Sequence, residues 1–264
     1  MSAATITPDT EPIARYVDHV MNMPISLAMR GRHARDDAGG RAWERVMEEL
    51  REVDRVFSTY RDDSFISRLA RDEITHGECP SQVREVVRLG QQAEIESGGA
   101  FSIWRPDPDG TLTLDPSGVV KGWAVERAAQ HLRILSGTDF CLSAGGDMVC
   151  RTLDPDTEPW QIGIEDPFDA TRIRAVVPVS NGAVATSGTA HRGTHITDAR
   201  THTIADEIAS VTVIADNLTW ADIDATAAFA LGAVAARWLK RRPGRSALIV
   251  WPDGTNELIG RAMP

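Results

Sequence analysis

The order of the hydrophobic patterns along the chain is the feature that most constrains its fold. Apolar residues recur at three- and four-residue spacing from Trp43 to Tyr60, which predicts a long amphipathic helix. Further helices are predicted at 80–98, 122–135 and 222–240. Runs typical of short strands occur at 23–29, 140–142, 160–164, 172–179, 183–187, 208–215 and 246–251. Because helices and hairpins mix without strict βαβ alternation, the pattern favours an α+β fold, with mixed or antiparallel sheets and packed helices, over a doubly wound one.

The domain organisation is simple. No internal repeat or low-complexity linker interrupts the chain, so residues 16–264 are predicted to form one domain. Residues 1–15 are polar and contain two prolines, which predicts a flexible arm. Residues 104–118 are rich in proline, aspartate and glycine, which predicts a loop or a hairpin.

Composition limits the classes of partner and compartment. The 264 residues carry a net charge of −10, which argues against a nucleic-acid-binding surface and against adsorption to anionic lipid. No stretch reaches the roughly 18 apolar residues that a membrane span requires. No basic segment followed by an apolar one marks a signal peptide, so a cytoplasmic location is expected. The three cysteines lack CxxC spacing, which favours a reducing compartment over a disulfide framework or a zinc knuckle.

Two segments combine glycine with charge. Lys121, one of two lysines in the chain, follows Gly118 directly before a predicted helix, where backbone amides and an ammonium group favour an anion. The simpler interpretation is a turn with a solvated lysine. Gly145 and Gly146, followed by Asp147, come after a buried strand, and they would let a flat or charged ligand lie against the main chain. A plain tight turn explains them equally well.

A third segment contains histidine, and a fourth contains hard oxygen ligands. His191 and His195 are four residues apart, but the sequence between them is poor helix and lacks an HExxH pattern, so a zinc site is disfavoured. His195 alone would serve as a general base or be a polar hairpin residue. Asp222 and Thr226 lie on one face of a helix, and their oxygens, with main-chain carbonyls, suit Mg²⁺. Acidic residues in a first helical turn also suit the helix dipole, so a structural role fits them as well.

Together and in this order, these segments resemble the ApbE family, the FAD:protein FMN transferases, from about Met21 to Gly232. The matching segments are Met21–Pro24, Phe57–Tyr60, Ser64–Leu69, Ser97–Phe101, Asp115–Glu126, Ser143–Asp147, Trp160–Pro167, Thr186–Gly188, His195–Asp198 and Ala221–Ala227. The resemblance implies a single ApbE-like domain that binds FAD and Mg²⁺. It also implies a reaction in which FMN moves from FAD, through its phosphate, to a threonine or serine of a target flavoprotein, with release of AMP.

The resemblance also implies roles for individual residues. FAD would be held by Met21, Tyr60, Ala100, Phe101, Ser102, Asp115, Lys121, His195 and Ile196. Mg²⁺ would be bound by Asp222, Thr226 and a main-chain carbonyl near Gly118. Lys121 would stabilise charge on the phosphates, and His195 would take the proton from the acceptor hydroxyl.

Several positions depart from the family pattern, among them Ser117, Val120 and the pair Asn22 and Met23. Ser102, Ala199 and His202 stand where aspartate, proline and glycine are usual. Ser102 and Ala199 leave open a protein that binds FAD without catalysis. The same site would also serve an FAD pyrophosphatase, in which water replaces the acceptor hydroxyl and the products are FMN and AMP.

Overall fold

The computed structural model describes residues 13–106, 109–189 and 196–260. Its helices are α1 (Asp37–Phe57), α2 (Phe65–Ala70), α3 (Ser81–Glu96), α4 (Ser117–Ala128), α5 (Gln130–Arg133), α6 (Leu218–Leu231) and α7 (Ala235–Leu239). Its strands are β1 (Ala14–Val20), β2 (Met23–Gly31), β3 (Trp104–Pro106), β4 (Leu112–Leu114), β5 (Thr138–Ala144), β6 (Asp147–Arg151), β7 (Trp160–Asp166), β8 (Asp169–Val179), β9 (Asn181–Gly188), β10 (Thr197–Asp198), β11 (Thr203–Ile204), β12 (Ser210–Ala215), β13 (Ser246–Val250) and β14 (Asn256–Ile259).

An eight-stranded sheet forms the centre of the fold. Its strand order is β1-β2-β5-β6-β9-β12-β13-β14, and every neighbouring pair is antiparallel. The pairs β3-β4, β7-β8 and β10-β11 form separate two-stranded sheets. Helices and antiparallel strands therefore share one domain, and the predicted α+β fold is confirmed.

The two faces of the sheet pack against different partners. Side chains alternate along a strand, so Val149 joins the larger hydrophobic core with the helices, and Cys150 joins the smaller core with the β7-β8 hairpin. On the helical side, α6 lies against β9 and β12, and α4 packs on both α6 and α1. This order of layers places the start of α4 and the start of α6 beside the ends of the central strands.

Four predicted boundaries are wrong. α4 begins at Ser117, not at residue 122, so Gly118 and Lys121 lie inside the helix. α6 begins at Leu218, with Asn217 as its N-cap, and not at residue 222. It ends at Leu231, with Gly232 as its C-cap at a φ of 57°, and not at residue 240. Residues Ala14 and Arg15, assigned to the arm, are the first residues of β1.

One helical stretch within the described ranges is long and apolar enough to cross a membrane by length and composition. It runs from Leu218 to Leu239, through α6 and α7, and its most apolar window has a mean hydropathy of 1.2. This corrects the expectation that no stretch would reach that length. Of that window, 78% is buried inside the protein, as in the core helix of a globular domain.

Candidate active site

A cavity of about 340 Å³ opens where the central strands end. A volume in this range is typical of sites for small molecules. Its walls come from the start of α4, the 145–146 turn, β7, β9, the segment before β3 and one face of α6. The cavity therefore receives residues from both sides of the sheet.

The close approach of α4 and α6 builds the floor of this cavity. A β-carbon at Gly122 would lie 2.7 Å from the Asp222 Cβ and 2.7 Å from the Leu218 carbonyl oxygen, so a residue larger than glycine would push the helices apart. The Gly122 amide donates to Asp222 Oδ2 at 2.9 Å. Glycine at this position therefore brings the Asp222 carboxylate up to the helix that carries Lys121.

Lys121 joins two carboxylates inside the cavity. Its Nζ lies 3.1 Å from Asp222 Oδ1 and also contacts Asp147 Oδ2. The side chain of Lys121 is 17% exposed, and those of Asp147 and Asp222 are 2% and 4% exposed. The simpler interpretation of Lys121, a solvated lysine in a turn, is therefore wrong.

Charge in this cluster is unbalanced, because two carboxylates share one ammonium group. Burial, and after it the negative charge of Asp147, raise the pKa of Asp222 to about 6, although Lys121 and the Gly122 amide act to lower it. Burial acts to lower the pKa of Lys121, but the carboxylates of Asp222 and Asp147 outweigh it and hold that pKa above its ordinary value. The ammonium group therefore stays charged, and the surplus negative charge favours a further cation.

The residues predicted to bind Mg²⁺ are close together. Asp222 and Thr226 lie one turn apart on α6, and both line the cavity together with Gly118 of α4. The Thr226 hydroxyl forms a hydrogen bond of 3.2 Å with the Ser187 hydroxyl of β9. An ionised carboxylate has about four lone-pair sites, so the contacts of Asp222 to Lys121 and Gly122 leave it able to bind a metal.

This donor set fits Mg²⁺ better than a softer metal. Carboxylate, hydroxyl and carbonyl oxygens are hard ligands, and the surplus negative charge attracts a cation. Among the described residues, no group of three or more His, Cys, Asp or Glu side chains is arranged to hold a metal. A protein site with one carboxylate ligand is nevertheless typical of Mg²⁺ that shares its coordination with substrate phosphates.

Several residues predicted to bind FAD also line the cavity. They are Ala100, Phe101, Ser102, Lys121 and Ile196. The segment that contains the first three is fixed by hydrogen bonds: the Phe101 amide donates to Ser97 Oγ at 3.0 Å, and the Ala199 amide donates to the Ala100 carbonyl at 3.1 Å. A β-carbon at Gly118 would lie 3.0 Å from the Phe101 ring, so this ring lies directly on the start of α4.

Three predicted FAD residues lie apart from the described cavity wall. Met21 is in the turn between β1 and β2, and Tyr60 is 86% exposed in the loop after α1. Asp115 pairs with Arg105, which does line the cavity, and accepts a hydrogen bond from the Ser117 amide. For all three, FAD binding stays a prediction.

The two predicted histidines, His191 and His195, lie outside the described residues. The chain on either side of them is described: Gly188 and Ile196 both line the cavity. The role of His195 as a base therefore stays a prediction.

Asp147 is a residue that the sequence interpretation left without a role. It is the first residue of β6, after a turn in which Gly145 and Gly146 have φ values of 57° and 97°. The turn itself was expected, but the contact with Lys121 was not. A carboxylate directly before the apolar residues Met148, Val149 and Cys150 was the signal that could have indicated it.

Comparison with known proteins identifies the family. The model of the ApbE family matches residues 21–106 and 104–249, which is most of the chain. The chain belongs to the ApbE family. This confirms the resemblance seen in the sequence, and it places Lys121, Asp147, Asp222 and Thr226 inside the region that the ApbE family shares.

Curated relatives of this ApbE-family chain are named FAD:protein FMN transferase. The protein from Vibrio cholerae is 27% identical over 69% of this chain and 71% of its own length. The one from Haemophilus influenzae is 25% identical over 72% of each chain. The one from Treponema pallidum is 26% identical over 80% of this chain and 77% of its own length.

Solved structures of ApbE proteins have the same fold. The flavinyl transferase ApbE of Pseudomonas stutzeri, in its apo form, aligns with a TM-score of 0.78 and 22% identity over 96% of this chain and 97% of that one. The ApbE protein of Thermotoga maritima aligns with a TM-score of 0.80 and 20% identity over 94% and 97% of the two chains. The predicted single ApbE-like α+β fold is thus confirmed.

Proposed function

We propose that this protein is a Mg²⁺-dependent FAD:protein FMN transferase. The name shared by its curated relatives supports the enzyme class. The observation in this chain that carries the proposal is the cluster of Lys121, Asp147, Asp222 and Thr226 on the wall of one cavity. A dinucleotide has two linked phosphates, and the cluster offers one fixed cation and hard ligands for a second.

The chemistry proceeds by attack on a phosphorus atom. The hydroxyl oxygen of an acceptor threonine or serine forms a bond to the phosphorus of the FMN half of FAD. The bond between that phosphorus and the bridging oxygen breaks, and AMP leaves with the electron pair. Negative charge grows on the oxygens of the pyrophosphate, and the Lys121 ammonium, held by two carboxylates, stabilises it without having to reorganise. Asp222, Thr226 and a carbonyl near Gly118 would hold Mg²⁺. When bound, the ion would act as a Lewis acid that stabilises the same oxygens.

A base must take the proton from the acceptor hydroxyl, which is otherwise a weak nucleophile. His195 is the residue that we propose for this role. The His195→Ala variant should lose about 100-fold or more in the rate of transfer, while its affinity for FAD, measured by flavin fluorescence, changes much less. An unchanged rate would remove His195 from the mechanism.

The test of the proposed function is incubation of the purified protein with FAD and Mg²⁺, with and without an acceptor domain. Release of AMP that needs the acceptor, together with a mass gain of one FMN on the acceptor, supports the transferase. AMP formed at the same rate without acceptor indicates an FAD pyrophosphatase. Bound FAD with no AMP in either case indicates a protein that binds FAD without catalysis.

The acceptor is proposed to be a flavoprotein with an accessible threonine or serine. A cytoplasmic location of the enzyme stays a proposal too. Separating cell fractions and measuring flavinylation of the acceptor in each one would test it.

A further inference from the structure

Asp147 is the second carboxylate bound to Lys121, and this arrangement has a consequence for the proposed reaction. Its Oδ1 accepts the Thr186 amide at 3.0 Å, and its Oδ2 contacts the Lys121 ammonium. The β6-β9 ladder reaches Met148 and Val184, so the Asp147 side chain takes an amide of β9 just beyond the last paired residues. One oxygen therefore anchors the carboxylate to the sheet, while the other holds a cation.

We infer that Asp147 is a positioning residue that shares the Lys121 ammonium with Asp222, so that the ammonium does not pair with the metal-binding carboxylate alone. The inference rests on the proposed function, because it assigns a role to Lys121 and Asp222 in that reaction. Lys121 has two anionic partners in the structure, Asp147 and Asp222. If Asp147 lost its charge, the ammonium would be drawn to the carboxylate that remains, where it would compete with Mg²⁺ for Asp222.

Burial strengthens the preference of the Lys121 ammonium for an anionic partner. An ammonium group inside a protein pays a large desolvation cost, so it follows the nearest anion rather than staying unpaired. Asp147 is 1% exposed and sits on the central strand β6, where its neighbours on β5 and β9 fix the backbone. A rigid anion on the sheet thus sets where the flexible lysine side chain ends.

The principal variant is Asp147→Asn, which keeps an oxygen for the Thr186 amide and removes the charge. We expect its affinity for Mg²⁺, measured by calorimetry with Mg²⁺ alone, to fall about tenfold, or about 1.4 kcal/mol. We also expect the kcat for AMP release to fall by a larger factor than the KM for FAD rises. The thermal unfolding midpoint shows whether the variant is folded. Asp147→Ser serves as a second variant if the asparagine variant is insoluble.

Asp147 could act on Mg²⁺ by positioning the Lys121 ammonium or by attracting the metal directly with its own charge. Repeating the Asp147→Asn change in a Lys121→Met variant separates the two effects. In Lys121→Met there is no ammonium to misplace, so adding Asp147→Asn should change Mg²⁺ affinity less than threefold. Direct attraction would instead give an equal or larger effect in that background, and this result would overturn the inference. The double variant also has no buried ammonium in need of a partner, so it should fold.

Asp139 on β5 provides a matched control. One of its oxygens accepts the Leu153 amide at 2.8 Å, and the other lies 3.1 Å from the Arg30 Nε, so it has the same pair of partner types as Asp147. Asp139 is buried but does not belong to the described cavity wall. Asp139→Asn should lower the thermal unfolding midpoint and leave Mg²⁺ affinity unchanged.

The outcomes for the inference and for the proposed function are distinct. Wild-type protein that forms no flavinylated acceptor contradicts the proposed function, while calorimetry still tests Asp147. Wild-type protein that takes up no Mg²⁺, or Asp147→Asn with wild-type Mg²⁺ affinity, overturns the inference whatever the transfer assay shows.

Discussion

Two aspartates on α6, two residues apart, have opposite surroundings. Asp222 faces the cavity and shares one ammonium group with Asp147, so carboxylates outnumber cations. Asp224 faces the other way, and its two oxygens bind two guanidinium groups, from Arg242 at 2.8 Å and Arg245 at 2.6 Å. Both aspartates are buried, with whole-residue exposures of 3% for Asp222 and 0% for Asp224.

The region around Asp224 is closed by further contacts. The Arg242 guanidinium also pairs with Glu96 of α3 and lies over the rings of Trp220 and Trp238. Two guanidinium groups face one aspartate there, and Glu96 restores the balance of charge. These contacts join α6 and α3 to the loop between α7 and β13. The comparison teaches that burial of a carboxylate does not by itself indicate function. A surplus of like charge beside a cavity favours the binding of a counter-ion, whereas a balanced cluster sealed by aromatic rings indicates a role in stability.

The largest expected effect follows from Asp222→Asn. It removes the carboxylate that the proposal assigns to Mg²⁺, so the rate of AMP release with acceptor should fall at least about 100-fold. The asparagine oxygen still accepts the Gly122 amide, so the thermal unfolding midpoint should change little. A rate within tenfold of the wild type would show that the two aspartates do not differ in the way described.

The converse change is Asp224→Asn, which leaves two buried guanidinium groups short of their shared anion. The free energy of unfolding, from urea denaturation, should fall by about 3 kcal/mol. Mg²⁺ affinity of the folded fraction should be unaltered. Lys240→Gln, which breaks an exposed ion pair with Glu257, is the control and should cost less than about 1 kcal/mol. Equal losses in the two variants would contradict the structural role of Asp224.

Proton competition gives a third test. The pKa of Asp222 is raised to about 6 by burial, so its carboxyl group is protonated below that pH and ionised above it. Since Mg²⁺ binds the ionised form, its affinity should fall about tenfold for each pH unit below 6 and level off above it. Calorimetry from pH 5 to 8 measures this. Asp224→Asn should show the same profile, and an affinity independent of pH in the wild type would argue against Asp222 as the ligand.

The smallest expected effect concerns the closed cluster. Trp238 donates from Nε1 to the Glu96 carbonyl at 2.8 Å, and Trp238→Phe removes that hydrogen bond while keeping a ring over Arg242. We expect a loss of about 1 kcal/mol in unfolding free energy and an unchanged rate of FMN transfer. A clear loss of transfer rate would mean that the two sides of α6 are coupled.

The elements with regular apolar spacing could be predicted from the sequence. Strand β2 and helices α1 and α3 lie close to their predicted positions because one face of each is buried and the other is not. The start of α4 was missed because Gly118 and Gly122 are weak helix formers. Tertiary contacts override that preference, since α6 and the Phe101 ring need the space that the glycines leave.

The candidate site was only partly accessible from the sequence. Spacing on one helical face correctly grouped Asp222 with Thr226, and the family resemblance placed Lys121 beside them. The partnership of Lys121 with Asp147 depends on how α4 crosses the end of β6, and such a contact between residues 26 positions apart leaves no periodic signal. The different roles of Asp222 and Asp224 could not be predicted either, because the partners of Asp224 lie far along the chain, after α7.

The glycine at position 122 has a wider consequence. The carboxylate of Asp222 contacts α4 because Gly122 has a hydrogen atom where the other residues have a β-carbon. Anyone who grafts this ion cluster onto another pair of helices would have to copy their spacing first and the charged side chains second. On helices set further apart, the Gly122 amide would no longer reach Asp222 Oδ2, and the carboxylate would lose the contact that fixes it beside Lys121.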